Sequence, residues 1–538
     1  MTNPILTLEG VSFALPDGRT LFSDLHATFH RRPTALVGRN GVGKTVLTQI
    51  LAGQLEPTTG RCVRSGSVRV LAQQGSHPAG ASIADLVGAR ATLDALARIE
   101  AGSSLPADFD TVGDRWDIRQ RLEQALDRYH LGHLDANTLV STLSGGEAMR
   151  IALIGALLSD AEFLILDEPS NHLDTPNRRA LIEQLQGWPR GLLVVSHDRR
   201  LLEAMPEIVE LSPLGLRSYG GNFSVYTECK AREREAAAQL LEQRKLDRQR
   251  KEQSMREQLE RQARRQARGG RQGRDANQAR ILLDRQKERS ESSMGKLRKQ
   301  HADIRAQLVE SVCEASRQLE DCAPITLLAS PHAGAVQRRV ADLEGVELPF
   351  VAGAMRHVEW TLLGRQRVGV VGPNGCGKST LLKILAGQLQ PLAGTCRRLV
   401  DGAYLDQGLG TLAASRSVLE QMQEASRGLA EGELRMRLSQ LGLDADKIVV
   451  PSGSLSGGER LKAALAHLLY RDPPPPLLLL DEPSNHLDLP SLQALEVMLN
   501  HYRGTLVVVS HDETFMNALG LTNRLRATDS GWRLEPWD

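Results

Sequence analysis

Short unbroken apolar runs, each closed by glycine or a polar residue, recur along the chain. TALVG (34–38), FLILD (163–167) and LLVVS (192–196) have counterparts in VGVVG (368–372), LLLLD (477–481) and LVVVS (506–510). A strand with one wet face alternates, whereas a run apolar at every position is covered on both faces. These runs therefore predict buried parallel strands. TVLTQILAG (45–53) and STLLKILAG (379–387) follow the two glycine-ended runs and read as helices. The alternation of strand, loop and helix predicts an α/β fold in each half. Between the halves the pattern changes. Residues 230–268 predict one long helix with few apolar positions (Leu240, Leu246, Met255, Leu259). GGRQG (269–273) predicts a turn, and 276–319 a returning helix with Leu297, Ile304, Leu308, Val312, Ala315 and Leu319 as a thin seam. Together they predict an antiparallel helical hairpin.

The halves are copies. GRNGVGKT (38–45) recurs as GPNGCGKS (372–379), LSGGEAMR (143–150) as LSGGERLK (455–462), ILDEPSNHLD (165–174) as LLDEPSNHLD (479–488), and VVSHD (194–198) at 508–512. Four motifs in the same order mark a duplicated domain. The spacing from Gly38 to Gly372 is 334 residues, but from Leu143 to Leu455 it is 312, so the first copy carries about 22 extra residues, expected within about 76–116. The expected layout is a first domain over 1–227, a linker over 228–324 and a second domain over 325–538.

GxxxxGK[ST] curls the backbone so that its N–H groups point at phosphate oxygens, with a helix N-terminus behind them. Gly38, Asn40, Gly41 and Gly43 would form one such loop, and Gly372, Asn374, Gly375 and Gly377 the other. Lys44 and Lys378 would neutralise β- and γ-phosphates, and the hydroxyls of Thr45 and Ser379 would ligate Mg²⁺. Asp167 and Asp481 end apolar strands and would hold the metal. Glu168 and Glu482, next in sequence, would polarise the attacking water. His197 and His511, each 30 residues beyond the Asp, would bond a γ-phosphate oxygen. Gln73 (or its neighbour Gln74) and Gln407 would contact Mg²⁺ or the water. Each of these has a purely structural alternative, in which the carboxylates are salt-bridged and the His and Gln side chains are ordinary packing residues.

Charge adds what the pattern alone does not. The chain of 538 residues has a formal net charge of +1, yet residues 230–300 hold 22 Lys or Arg against 11 Asp or Glu. That linker is about +11 and the remainder about −10. Arg261, Arg264, Arg265, Arg268, Arg271, Arg274 and Arg280 cluster around the expected turn against Asp275. One reading is the solvated face of a coiled coil. The other is contact with nucleic-acid phosphates, for which the arginine fork is suited; without interleaved aromatics it would read backbone and shape. No apolar run reaches the eighteen or so residues of a membrane span, and the start lacks a signal peptide's pattern. The six cysteines are scattered with no CxxC pair. A soluble, cytoplasmic, multidomain protein is expected.

The combination of P-loop, LSGGE, DEP and SHD resembles the ATP-binding cassette superfamily over 7–226 and about 343–525. DEPSNHLD in both halves, with Ser170 and Ser484 for the usual threonine, resembles the ABC-F subfamily, as does YGGNFSVY (219–226). The resemblance implies two cassettes packed head to tail, so that each ATP lies between one P-loop and the opposite LSGG. Site one would add Ser456, Gly457 and Gly458 to the first P-loop set; site two would add Ser144, Gly145 and Gly146 to the second. Asp174 and Asp488 would cross the interface. Phe13 would stack on adenine, while the second copy has Leu348 there and Phe350 two residues on. The resemblance further implies Mg²⁺-dependent ATP hydrolysis by a monomer and a linker aimed at ribosomal RNA and tRNA from the ribosomal tRNA exit site. The insert would be a short arm, and a basic C-terminal extension is not expected. A peripheral transporter subunit and a DNA-associated ATPase are the alternatives.

Overall fold

The structure, a computed structural model, describes residues 6–71, 80–143, 145–171, 173–275, 299–316, 339–406, 412–426, 428–485 and 487–537, without the side chains of 145, 262, 265–267 and 269–275. It divides into two compact units, Met1–Ser224 with Pro324–Asp538, and Val225–Ala323.

The first unit holds the two copies. Each has a six-stranded sheet whose first five strands, from one edge, are parallel. In the first copy they run Val68–Leu71, Phe163–Asp167, Gly191–Val195, Thr34–Gly38 and Glu207–Ser212, then the antiparallel Gly215–Gly220. In the second they run Gly402–Leu405, Leu477–Asp481, Thr505–Val509, Arg367–Val371 and Asn523–Thr528, then the antiparallel Gly531–Pro536. The apolar runs are fully buried strands because helices cover one face and a second sheet lies over the other. That second sheet is antiparallel, Thr20–Phe29, Leu6–Ala14 and Thr59–Arg64 in the first copy. Its Leu6, Leu8 and Val11 share a core with Leu47, Ile50 and Leu51 of the P-loop helix and with Ile165 and Leu193 of the main sheet. The P-loop is thus wedged between two sheets, and the strand ends Gly38, Asp167 and Val195 open on the same edge. Open parallel sheets bind ligands at that carboxyl edge.

The extra length of the first copy lies in two helices, Arg90–Glu100 and Pro106–Val112, between elements that both copies share. Ser82 and Ser417 each open a helix with a capping box, and Ile118–Arg128 corresponds to Glu431–Gln440.

The second unit corrects the expected turn. One helix runs from Phe223 through Asp275, so GGRQG lies inside it. A glycine costs a helix about 1 kcal/mol against alanine, and the surrounding Arg, Gln and Ala favour helix strongly enough to carry it. A second helix spans 299–316. His301 lies 3.3 Å from Gln258, and Arg305 lies 3.8 Å from Glu252. Partner numbers falling on one helix as they rise on the other make the pair antiparallel. The reversal itself lies outside the described residues. Leu308 and Ala315 of the seam are buried, whereas Leu246 is exposed.

Candidate nucleotide sites

Both P-loops are built alike. Gly43 and Gly377, with φ of 101° and 98°, cap the helices Lys44–Ala52 and Lys378–Ala386. A Cβ on Gly43 would come within 2.9 Å of the Phe22 ring, so the position requires glycine by space as well as by φ. Lys44 folds back to donate to the carbonyls of Gly38 and Arg39 at 2.7 and 3.1 Å. Lys378 does the same to Gly372 and Pro373, at 2.9 Å each. Burial lowers the Lys44 pKa.

Asp167 and Asp481 end their strands buried, and burial raises both pKa values, opposed by hydrogen bonds from Thr45 and Ser379. Asp167 Oδ2 and Asp481 Oδ1 have no protein hydrogen-bond partner. An orphaned buried carboxylate oxygen beside a hydroxyl suits a hard divalent cation. Among the described residues no group of three or more His, Cys, Asp or Glu side chains forms a metal cage.

Glu168 and Glu482 leave the strand in left-handed conformations, with φ of 52° and 50°. Their amides donate to Val195 and Val509 carbonyls at 2.8 and 2.9 Å. Strain of this kind costs about 1–3 kcal/mol. His197 Nε2 lies 3.6 Å from Glu168, and His511 Nε2 lies 3.5 Å from Glu482 and 3.0 Å from Asn374 Oδ1. Burial drives the Glu168 carboxyl up to about 8, with Lys44 opposing it. Glu482 rises to about 7, again through burial, opposed by Arg178 of the other copy and by Lys378. Burial lowers both imidazoles to about 3, hence neutral.

The two copies meet at the first site. A cavity of about 510 Å³ is lined by Asn40, Gly41, Gly43, Lys44, Thr45, Asp167, Glu168 and His197 from one copy, and Ser456, Gly457 and Gly458 from the other. Ser456 caps the helix Gly457–Leu469, in a capping box with Glu459, so that helix presents its N-terminus to the cavity. Asp488 of the second copy accepts from the Asn40 amide at 2.8 Å. Leu15, Leu21 and Asn171 also line the cavity; Asn171 belongs to the repeated DEPSNHLD motif, whereas nothing in a single sequence marks Leu15 or Leu21. Phe13 is not among the lining residues. It packs on the core with its ring 6.3 Å from Phe22. Counting from the matching Gly10 and Gly345, Phe350 stands where Leu15 does. It is 91% exposed with φ of 65°, while Leu348 is buried.

At the second site, Gly145 and Gly146 open the helix Gly145–Leu158, and Ser144 lies outside the described residues, as do Gln73 and Gln407. In the linker, Arg261 and Arg264 are exposed, each with a glutamate one turn back (3.5 Å to Glu257, 3.9 Å to Glu260), and Arg268 is exposed. Such exposed pairs contribute little and leave the guanidinium accessible. The helix includes Arg265, Arg271 and Arg274, whose side chains are not described; Arg280 lies outside the described residues.

Comparison with known proteins gives the following likenesses. The ABC transporter family matches residues 24–171 and again 355–485. ABC transporter F family member 5 of Arabidopsis thaliana is 30% identical, over 92% of this chain and 71% of that protein. Energy-dependent translational throttle protein EttA of Mycobacterium tuberculosis is 30% identical, over 96% and 90%. Ribosome protection protein VmlR of Bacillus subtilis is 28% identical, over 95% and 85%.

Proposed function

Because the chain belongs to the ABC transporter family of ATPases, in its ABC-F branch, we propose that it binds the ribosome when ATP closes its two cassettes and leaves when ATP is hydrolysed. The observation that carries the clasp is the first-site cavity, where P-loop and opposing signature helix share one space. ATP there would touch both cassettes, so its phosphates favour the closed state by as much as they bind it better. The names of the translational throttle and the ribosome protection protein support the ribosome as partner.

In this reading Lys44 and Lys378 balance phosphate charge, and the amides of Gly41, Gly43, Gly375 and Gly377 cradle the phosphates. Ser456, Gly457 and Gly458 close site one, and Ser144, Gly145 and Gly146 close site two. Thr45 with Asp167, and Ser379 with Asp481, would hold Mg²⁺, which supplies charge stabilisation at the phosphates; Gln73 and Gln407 would complete these sets. Glu168 and Glu482 accept a proton from the attacking water, and neutral His197 and His511 donate a hydrogen bond to the γ-phosphate. Phe350 offers an adenine platform at site two. The basic linker, from Arg261 to Arg280, contacts RNA phosphates of ribosomal RNA or tRNA. A transporter subunit would not use such a linker, and no described helix is long and apolar enough to cross a membrane.

The test is cosedimentation of the Glu168→Gln/Glu482→Gln chain with ribosomes. ATP should trap it in the pellet, because the clasp closes and does not reopen. Pelleting no greater than that of the parent chain would overturn the mechanism, and preference for DNA over ribosomes in competition would favour the DNA-bound alternative.

A further inference from the structure

The two nucleotide sites differ behind their metal carboxylates. At the second, Tyr404 donates its hydroxyl to Asp481 Oδ2 at 3.2 Å. Both side chains are buried, at 7% and 6% exposure. The edge strand Gly402–Leu405 pairs with Leu477–Asp481 so that Tyr404 stands opposite Leu479, two residues before the aspartate. In the first copy Val70 stands opposite Ile165, again two residues before Asp167. The registers match, so Val70 is the structural counterpart of Tyr404. A valine has no proton to donate.

We propose that Tyr404 is a positioning residue that sets the magnesium affinity of the second site apart from that of the first. The proposal rests on the reading of Asp481 as a magnesium ligand. The phenol occupies one carboxylate oxygen and leaves the other, Oδ1, as the orphaned buried atom. A carboxylate held this way presents a single oxygen and does not swing to chelate with two. Magnesium demands near-octahedral single-oxygen ligation, whereas calcium accepts bidentate carboxylates in looser shells. Outer partners of this kind tune metal affinity through the orientation of the ligand they hold. Tyr404 therefore selects magnesium over calcium at site two, and site one discriminates less.

Manganese(II) binding, followed by electron paramagnetic resonance with a slowly hydrolysed ATP analogue, tests this in the full chain. An Asp167→Asn background leaves the second site to be read. There Tyr404→Phe, which keeps the ring and removes only the hydroxyl, should weaken manganese binding about tenfold, and calcium should compete better than before. In an Asp481→Asn background, where the first site is read, the same change should do nothing. In steady-state turnover the magnesium KM should rise while kcat at saturating metal holds. Unchanged manganese affinity in the first background, with binding abolished by Asp481→Asn in that same background, would overturn the role of Tyr404 alone. Manganese binding that survives the Asp167→Asn/Asp481→Asn pair would overturn the ligand reading and the proposal with it.

Discussion

Glu168 and Glu482 each sit one residue after a buried strand, with the backbone in a left-handed turn that glutamate does not favour. The same strain at both positions, with the same histidine beyond, fits the general-base task proposed for that carboxylate. A general base contributes about 10²–10⁴-fold to such reactions. Glu168→Gln and Glu482→Gln together should therefore cut ATP turnover by about that factor, and nucleotide affinity by equilibrium dialysis should hold. Gly43→Ala faces the Phe22 ring at 2.9 Å and a φ of 101°. It should lower the thermal midpoint, with a cost of about 1–3 kcal/mol, and weaken ATP binding at one site. These positions are visible in sequence because the tasks proposed for them, phosphate loop, metal site and base, need fixed residue types at fixed spacing. Tyr404 is not, since within AYLDQ an aromatic reads only as strand filler; the pairing with Leu477–Asp481 gives it meaning. Arg178 is hidden for a similar reason. It opposes the rise of the Glu482 pKa from across the interface, whereas its counterpart 314 residues on is Leu492.

At the scale of elements, the buried parallel strands are legible because a strand covered on both faces leaves no other pattern. The antiparallel sheets over the P-loops are not, because LTLEGVSFA mixes polar and apolar positions around bulges where the register shifts. The linker shows the opposite failure. Glycine punctuation suggests a turn at 269–273, yet the helix continues to Asp275, since local breakers compete with the propensity of the whole segment. Its charge remains the guide to its work. Replacing Arg261, Arg264 and Arg268 with glutamine should flatten the plot of log affinity for ribosomes against log salt, by about one unit of slope for each phosphate no longer neutralised. Basal ATP turnover without ribosomes should not change, and an unaltered slope would favour the solvated-face reading.

At the scale of the whole molecule, three ion pairs among the described residues cross the cassette interface and run the same way. Arg199 meets Glu496 at 2.8 Å, with both side chains nearly buried, and Arg179 and Arg200 meet Glu513. The position matching Arg199 is Glu513, and that matching Glu496 is Ile182. Breaking a buried pair costs about 3–5 kcal/mol. Arg199→Glu should thus reduce ATP-driven compaction in X-ray scattering, and Arg199→Glu/Glu496→Arg should restore it; recovery no better than the single change would mean that packing rather than charge matters there. Sequence alone reveals the duplication but not this divergence, which emerges only when facing residues are known. The duplicated halves have become a plug and a socket. A chain rebuilt from two first cassettes would bring arginine against arginine and stand ajar, and one from two second cassettes would do so with glutamates. Evolution can thus no longer shuffle the repeat, although its motifs still read as interchangeable.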